Sequence, residues 1–103
     1  MAEERRVVWT YAARAMLDDA VAFVAQDSRD AAIQLLVDAL DAGDSLQTFA
    51  ERGRIVPELD HPQLRELFVQ SYRLIYSVKG DTVELIAFVH AARDFNRLFG
   101  EEE

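Results

Sequence analysis

Two runs of alternating residues flank one tight turn, and this arrangement restricts the fold more than any other feature of the chain. The runs are Tyr72–Lys79 and Thr82–His90, and Gly80-Asp81 separates them. Period-two alternation rich in β-branched and aromatic residues marks strands. A two-residue Gly-X link predicts a type II′ hairpin, because glycine takes the positive φ of the first turn position without steric cost. The turn also sets register, and register decides which side chains share a face. Counting outward, Lys79 meets Thr82, Val78 meets Val83, Tyr76 meets Leu85, Leu74 meets Ala87 and Tyr72 meets Val89. The last four pairs are apolar or aromatic and form the face expected beneath helices. The alternate rungs are Ser77 with Glu84, Ile75 with Ile86, Arg73 with Phe88 and Ser71 with His90. A similar turn at Gln70-Ser71 folds a third run, residues 65–69, back on the hairpin and sets Phe68 beside Arg73.

The first half of the chain supplies the helices. Residues 5–9 read as a short opening strand, and Thr10 follows as an N-cap. Ala13, Leu17, Ala20, Val21 and Val24 then fall on one helical face, and the helix is expected to end near Gln26. Asp27 or Ser28 caps a second helix, with Asp30 favourable in its first turn. Its apolar stripe is Ala32, Leu35, Leu36, Ala39, Leu40, Gly43, Leu46, Phe49 and Ala50. Gly43 lies on the stripe, so it is expected to permit close contact and not to end the helix. So short a link makes the pair an antiparallel hairpin. Residues 51–62 hold Gly53, Pro57 and Pro62 and read as an irregular loop. The element order is β-α-α-β-β-β: an α+β fold with a helix hairpin on one face of a small, mainly antiparallel sheet. A length of 103 residues suits one domain spanning 1–103, with the glutamate tail 101–103 expected to be disordered.

The register makes the second face of the sheet a candidate site. One rung reads Phe68, Arg73, Phe88, an arginine held between two aromatics by stacking and cation–π contact. His90 is a diagonal neighbour of Arg73 in this register. The face thus carries Phe68, Ile75, Ile86 and Phe88 around Arg73 and His90, too apolar for solvent alone. Either the C-terminal segment with Phe95, Leu98 and Phe99 folds over it, or it is a groove for a partner or substrate. Arg73 has a purely structural alternative, pairing with Glu66 or Glu84. Arg65-Glu66 and Arg93-Asp94 have one too, as local ion pairs.

Composition narrows the chemistry. Without cysteine, disulfides and thiolate metal sites are excluded. No metal or cofactor is called for. No apolar run approaches the roughly 18 residues of a membrane span, so a membrane partner is not expected and the cytoplasm is the expected location. The chain carries a net charge of −8, which argues against a non-specific nucleic-acid binder. The charge is uneven, however. Residues 1–50 hold 9 acids and 4 bases, while residues 51–100 hold 7 of each. Of the 11 bases only Lys79 is lysine; the arginines are suited to carboxylates, phosphates and aromatic faces.

Several segments together resemble the RelE/ParE superfamily of toxins from type II toxin–antitoxin modules. They are the opening Val7-Val8-Trp9-Thr10 with Ala13 and Leu17-Asp18-Asp19, then Glu51-Arg52-Gly53-Arg54 with Val56-Pro57-Glu58-Leu59. Leu64-Arg65-Glu66-Leu67, Tyr72-Arg73-Leu74-Ile75-Tyr76 and Val89-His90-Ala91-Ala92-Arg93-Asp94 follow in order. The resemblance implies a cognate antitoxin, a possible toxin–antitoxin hetero-oligomer, and one of two activities. The RelE branch cleaves messenger RNA on the ribosome, and the ParE branch poisons DNA gyrase without being a nuclease.

A metal-free ribonuclease needs a base, cations for phosphate and an acid for the leaving oxygen. In the nuclease branch the arginine matching Arg73 binds phosphate, and lysines of the preceding strand assist. Here those places hold Leu64 and Glu66. A Tyr or His usual after the last strand is missing from residues 94–99. Catalytic candidates, if the chain is a nuclease, are therefore Arg73, His90 and Arg93 alone. The pattern of Arg65-Glu66, Tyr72-Arg73 and His90 with Arg93 resembles the ParE-like branch, so the expected function is a toxin directed at gyrase. The alternatives are a ribosome-dependent endonuclease acting on messenger RNA and a non-toxic binding relative. The expected partner-binding residues are Arg65, Phe68, Arg73, Ile75, Ile86, Phe88 and His90.

Overall fold

The computed structural model describes residues 4–91. Arg93, the 95–99 segment expected to fold over the sheet and the glutamate tail lie outside the described residues.

Strand β1 spans Arg6–Trp9, helix α1 Tyr11–Ala25 and helix α2 Arg29–Ser45. Both caps form as their side chains dictate. The Thr10 hydroxyl accepts from the Ala13 amide, and the Ser28 hydroxyl, not Asp27, accepts from the Ala31 amide. Each satisfies one of the amides that a helix start leaves without a partner. Helix α2 runs through Gly43, as its place on the stripe predicts. A Cβ there would sit 3.1 Å from Leu85 Cδ1 and 3.5 Å from the Trp9 indole. The missing side chain is what lets α2 approach the sheet this closely. Phe49 departs from the expected stripe and is exposed, because α2 ends at Ser45 and the following turns rotate it outward.

The loop contains one element that the sequence reading does not anticipate, the two-residue strand β2, Arg54–Ile55. Strands β3 (Leu64–Val69), β4 (Tyr72–Lys79) and β5 (Thr82–His90) follow. The sheet order is β1-β5-β4-β3-β2, antiparallel except for the parallel β1–β5 pair. Gly80 takes φ +58° while Asp81 does not turn positive, the sign pattern of a type II′ turn. Gln70 at φ +55° plays the same part between β3 and β4.

The β4–β5 register holds as far as Tyr76 with Leu85 and then shifts. Ile86 is an extra residue, a β-bulge, so Ile75 meets Ala87, Leu74 meets Phe88, Arg73 meets Val89 and Tyr72 meets His90. A slip of one residue moves every later side chain to the other face. The expected rung of Phe68, Arg73 and Phe88 is therefore corrected to Phe68, Arg73 and Val89. Phe88 and His90 belong to the helix-covered face.

Two apolar clusters result. Beneath the helices, Leu17, Leu35, Leu46, Leu74, Tyr76, Leu85 and Phe88 are buried together. On the second face, Ile75, Ala87 and Val89 pack against Val56 from the loop after β2, with Leu59, Leu64 and Ile86 around them. Among the described residues, the proline loop thus covers much of the face.

Candidate functional site

Glu66 organises the second face. It sits in the middle of β3, paired in register with Arg54 of β2 and Ile75 of β4, and its side chain is fully buried. A buried carboxylate needs charge partners, and two arginines supply them. Arg54 Nε donates to Glu66 Oε2 at 2.6 Å, and Arg73 Nη1 donates to Glu66 Oε1 at 3.2 Å. Arg73 lies beyond Glu66 on the neighbouring strand, itself nearly buried. Glu58 reaches it from the proline loop. Nη1 donates to Glu58 Oε1 and Nη2 to Oε2, both at 2.9 Å. This is the bidentate fork that guanidinium and carboxylate planes form best. The Arg73 hydrogen bonds hold the Glu58 carboxyl below the usual carboxylate range, and Glu58 in turn holds the Arg73 guanidinium firmly charged. Phe68 completes the group. The Arg54 guanidinium lies 5.2 Å and that of Arg73 5.8 Å from its ring centre, so two cations share one aromatic ring.

The expected site residues separate. Phe68, Arg73 and Ile75 share the second face, and Ile86 packs at its margin from the bulge. Phe88 does not join them: it stacks on Tyr72 beneath the helices. His90 meets Tyr72 edge to face at 5.3 Å, across the sheet from Arg73 and not diagonal to it. Arg65 points to the helix side, where its Nη1 donates to the Gly53 carbonyl at 2.7 Å. It anchors the loop start. The structural alternative for Arg73 holds with Glu66; Glu84 is instead beside Lys79.

The same loop start is fixed by Tyr76. Its hydroxyl donates to the Ala50 carbonyl at 2.8 Å and accepts from the Gly53 amide at 3.0 Å. Burial pushes this phenol above its usual pKa. Gly53 is needed here, since a Cβ would lie 2.5 Å from the Tyr76 hydroxyl and 2.6 Å from the Glu66 carbonyl oxygen. The loop is thereby delivered to the sheet edge as β2, and Glu58 to Arg73.

Glu58 and Arg54 are the site residues that sequence reasoning misses. The signal for Arg54 is Glu66 itself, a carboxylate on a strand face between the apolar Leu64 and Phe68. Glu58 carries no comparable signal, because its partner is 15 residues away across a loop of irregular geometry. Among the described residues no group of three or more His, Asp or Glu could hold a metal ion, and no helix is long and apolar enough to cross a membrane.

The fold that carries this cluster is a capped helix hairpin on one face of a five-stranded, mostly antiparallel sheet. A family model described as the ParE toxin of the type II toxin–antitoxin system parDE matches residues 7–95. Toxin RelE2 of Caulobacter vibrioides is 36% identical over 89 residues, which cover 85% of this chain and 97% of that one. A solved structure described as the chromosomal ParDE TA system from P. aeruginosa has the same fold, with a TM-score of 0.70. At 22% identity it covers 84% of this chain and 96% of its own. The chain belongs to the ParE toxin family and is the toxin of a type II toxin–antitoxin system, with a cognate antitoxin as its partner.

Proposed function

We propose that this toxin acts in the cytoplasm by inhibiting DNA gyrase, and not as a ribosome-dependent ribonuclease. The observation that carries the reading is the separation of Arg73 and His90 by the sheet. General acid–base cleavage of RNA needs a proton-transfer group within hydrogen-bond reach of the phosphate that the cation binds. A histidine on the opposite face does not meet that requirement. Glu66 adds to the argument, since its buried carboxylate lies 3.2 Å from Arg73 Nη1 and opposes a phosphate there. The match to the ParE family over residues 7–95 leans the same way.

The test is a pair of assays with purified toxin. Gyrase supercoiling should fall and cleavage complexes should accumulate, with message on translating ribosomes left intact. Codon-dependent cuts in ribosome-bound message, with gyrase untouched, would reverse the assignment. In cells, expression without the antitoxin is expected to arrest growth.

A further inference from the structure

Among the described residues, the two carboxylates on Arg73 are held very differently. Glu66 is fixed within a strand, its side chain 0% exposed, and Arg54 grips it from the other side. Glu58 rides on the loop between Pro57 and Pro62, and its side chain is 42% exposed. The guanidinium between them is 11% exposed. Among the described residues, the cluster therefore presents an arginine fork filled by the chain's own loop carboxylate. Beside it lie Phe68, 54% exposed, and the outer part of Arg54. The fork geometry, with both contacts at 2.9 Å, is the one by which arginine recognises a carboxylate from any source.

We propose that this cluster is a seat for an acidic side chain of the antitoxin, and that Glu58 is its resident occupant in the free toxin. Charge selects the ligand. Exchanging one carboxylate for another keeps two negative groups against Arg54 and Arg73. A phosphate, which carries more charge, would face the fixed Glu66 and a chain of net charge −8. The exposed Phe68 ring offers apolar contact to the stem of an incoming glutamate. Occupancy by Glu58 lowers the apparent affinity by the fraction of time the fork is open. Glu58 thus tunes how tightly the toxin is neutralised. The inference rests on membership in a toxin–antitoxin family and is independent of the gyrase reading.

Calorimetric titration of the cognate antitoxin into wild-type, Glu58→Gln and Glu58→Ala toxin tests it. Both variants are expected to bind about tenfold tighter than wild type, as if an occupant present roughly nine-tenths of the time had been removed. Raising the salt should shrink the gain. Equal or weaker binding by both variants overturns the proposal. A short single-stranded oligonucleotide serves as the second probe. If the variants bind it tighter while antitoxin affinity stays unchanged, the seat takes phosphate and the antitoxin assignment is overturned. Affinity is the readout throughout, so its failure is distinct from a failure in the gyrase assay.

Discussion

Phe88 lies flat against Tyr72, with ring centres 4.9 Å apart and planes 6° from parallel, on the face beneath the helices. Strict alternation from the Gly80-Asp81 turn places Phe88 on the other face, beside Arg73. The bulge at Ile86 is what brings the two rings together. Phe88 is thus a core residue, 2% exposed, and not part of a groove. Phe88→Ala is expected to cost about 3–5 kcal/mol of stability, the usual range for emptying a buried aromatic site. A urea midpoint close to wild type would contradict this placement.

The bulge itself can be tested. Deleting Ile86 removes the extra residue and leaves Ala87 opposite Ile75, Phe88 opposite Leu74 and Val89 opposite Arg73, so residues 87–90 keep their faces under strict alternation. The deletion is expected to keep cooperative unfolding and near-ultraviolet dichroism, because Phe88 stays on Tyr72 beneath the helices. Ile86→Ala keeps the residue count and should cost only about 1–2 kcal/mol for a half-buried side chain. A deletion variant that loses cooperative unfolding would contradict the placement of the extra residue at Ile86.

Gly53 and Tyr76 form the second close contact. Tyr76→Phe leaves the Ala50 carbonyl and the Gly53 amide without the hydroxyl they share, at a cost of about 1–3 kcal/mol. Gly53→Ala drives a methyl against the Tyr76 hydroxyl and the Glu66 backbone. A further loss of about 1–3 kcal/mol is expected from such overpacking. Thermal unfolding of the single and double variants checks both. The two losses should not add, because both act on one contact.

The arginines of the second face should differ in consequence. Arg73→Ala strips Glu66 of its nearly buried partner, and breaking a buried pair from one side costs about 3–5 kcal/mol. Arg54 is about half exposed and leaves Arg73 in place on Glu66 when removed. Arg54→Ala is expected to cost about 1 kcal/mol or less, as partly solvated pairs do. Equal losses in chemical denaturation would mean that the two cations share Glu66 evenly.

Glu58 predicts a pH dependence. Its carboxyl is held below the usual carboxylate range by hydrogen bonds from Arg73. A depressed acid binds its proton more weakly folded than unfolded, so its contribution is complete above the ordinary glutamate pKa. That contribution is lost as pH falls through the lowered folded value. Glu58→Gln should therefore lower stability across the neutral region by that contribution, leave the most acidic end unchanged, and so flatten the acid limb of the stability profile. Unfolding midpoints across the acid range read this directly; an identical acid limb would remove the pair from the stability balance.

Local chemistry made the elements legible in the amino-acid order. Thr10 and Ser28 cap helices because their hydroxyls reach amides three residues on, Gly80 turns a hairpin because it lacks a Cβ, and Gly43 fits a stripe that repeats every three or four residues. Each is decided within a few residues, and each is found in the fold. The composition of the faces was decided elsewhere. Whether β5 keeps strict alternation depends on how Phe88 packs against Tyr72 and the helices, and one inserted residue there exchanged Phe88 and His90 for Ala87 and Val89 on the Arg73 side. Glu58 reached Arg73 only because Arg65 and Tyr76 pin the loop start and Val56 buries its far side. The hydrogen bonds among those contacts join residues 12 to 23 positions apart. A linear pattern carries no record of such distances, so the charge partners of the site exist as a site only in the folded chain.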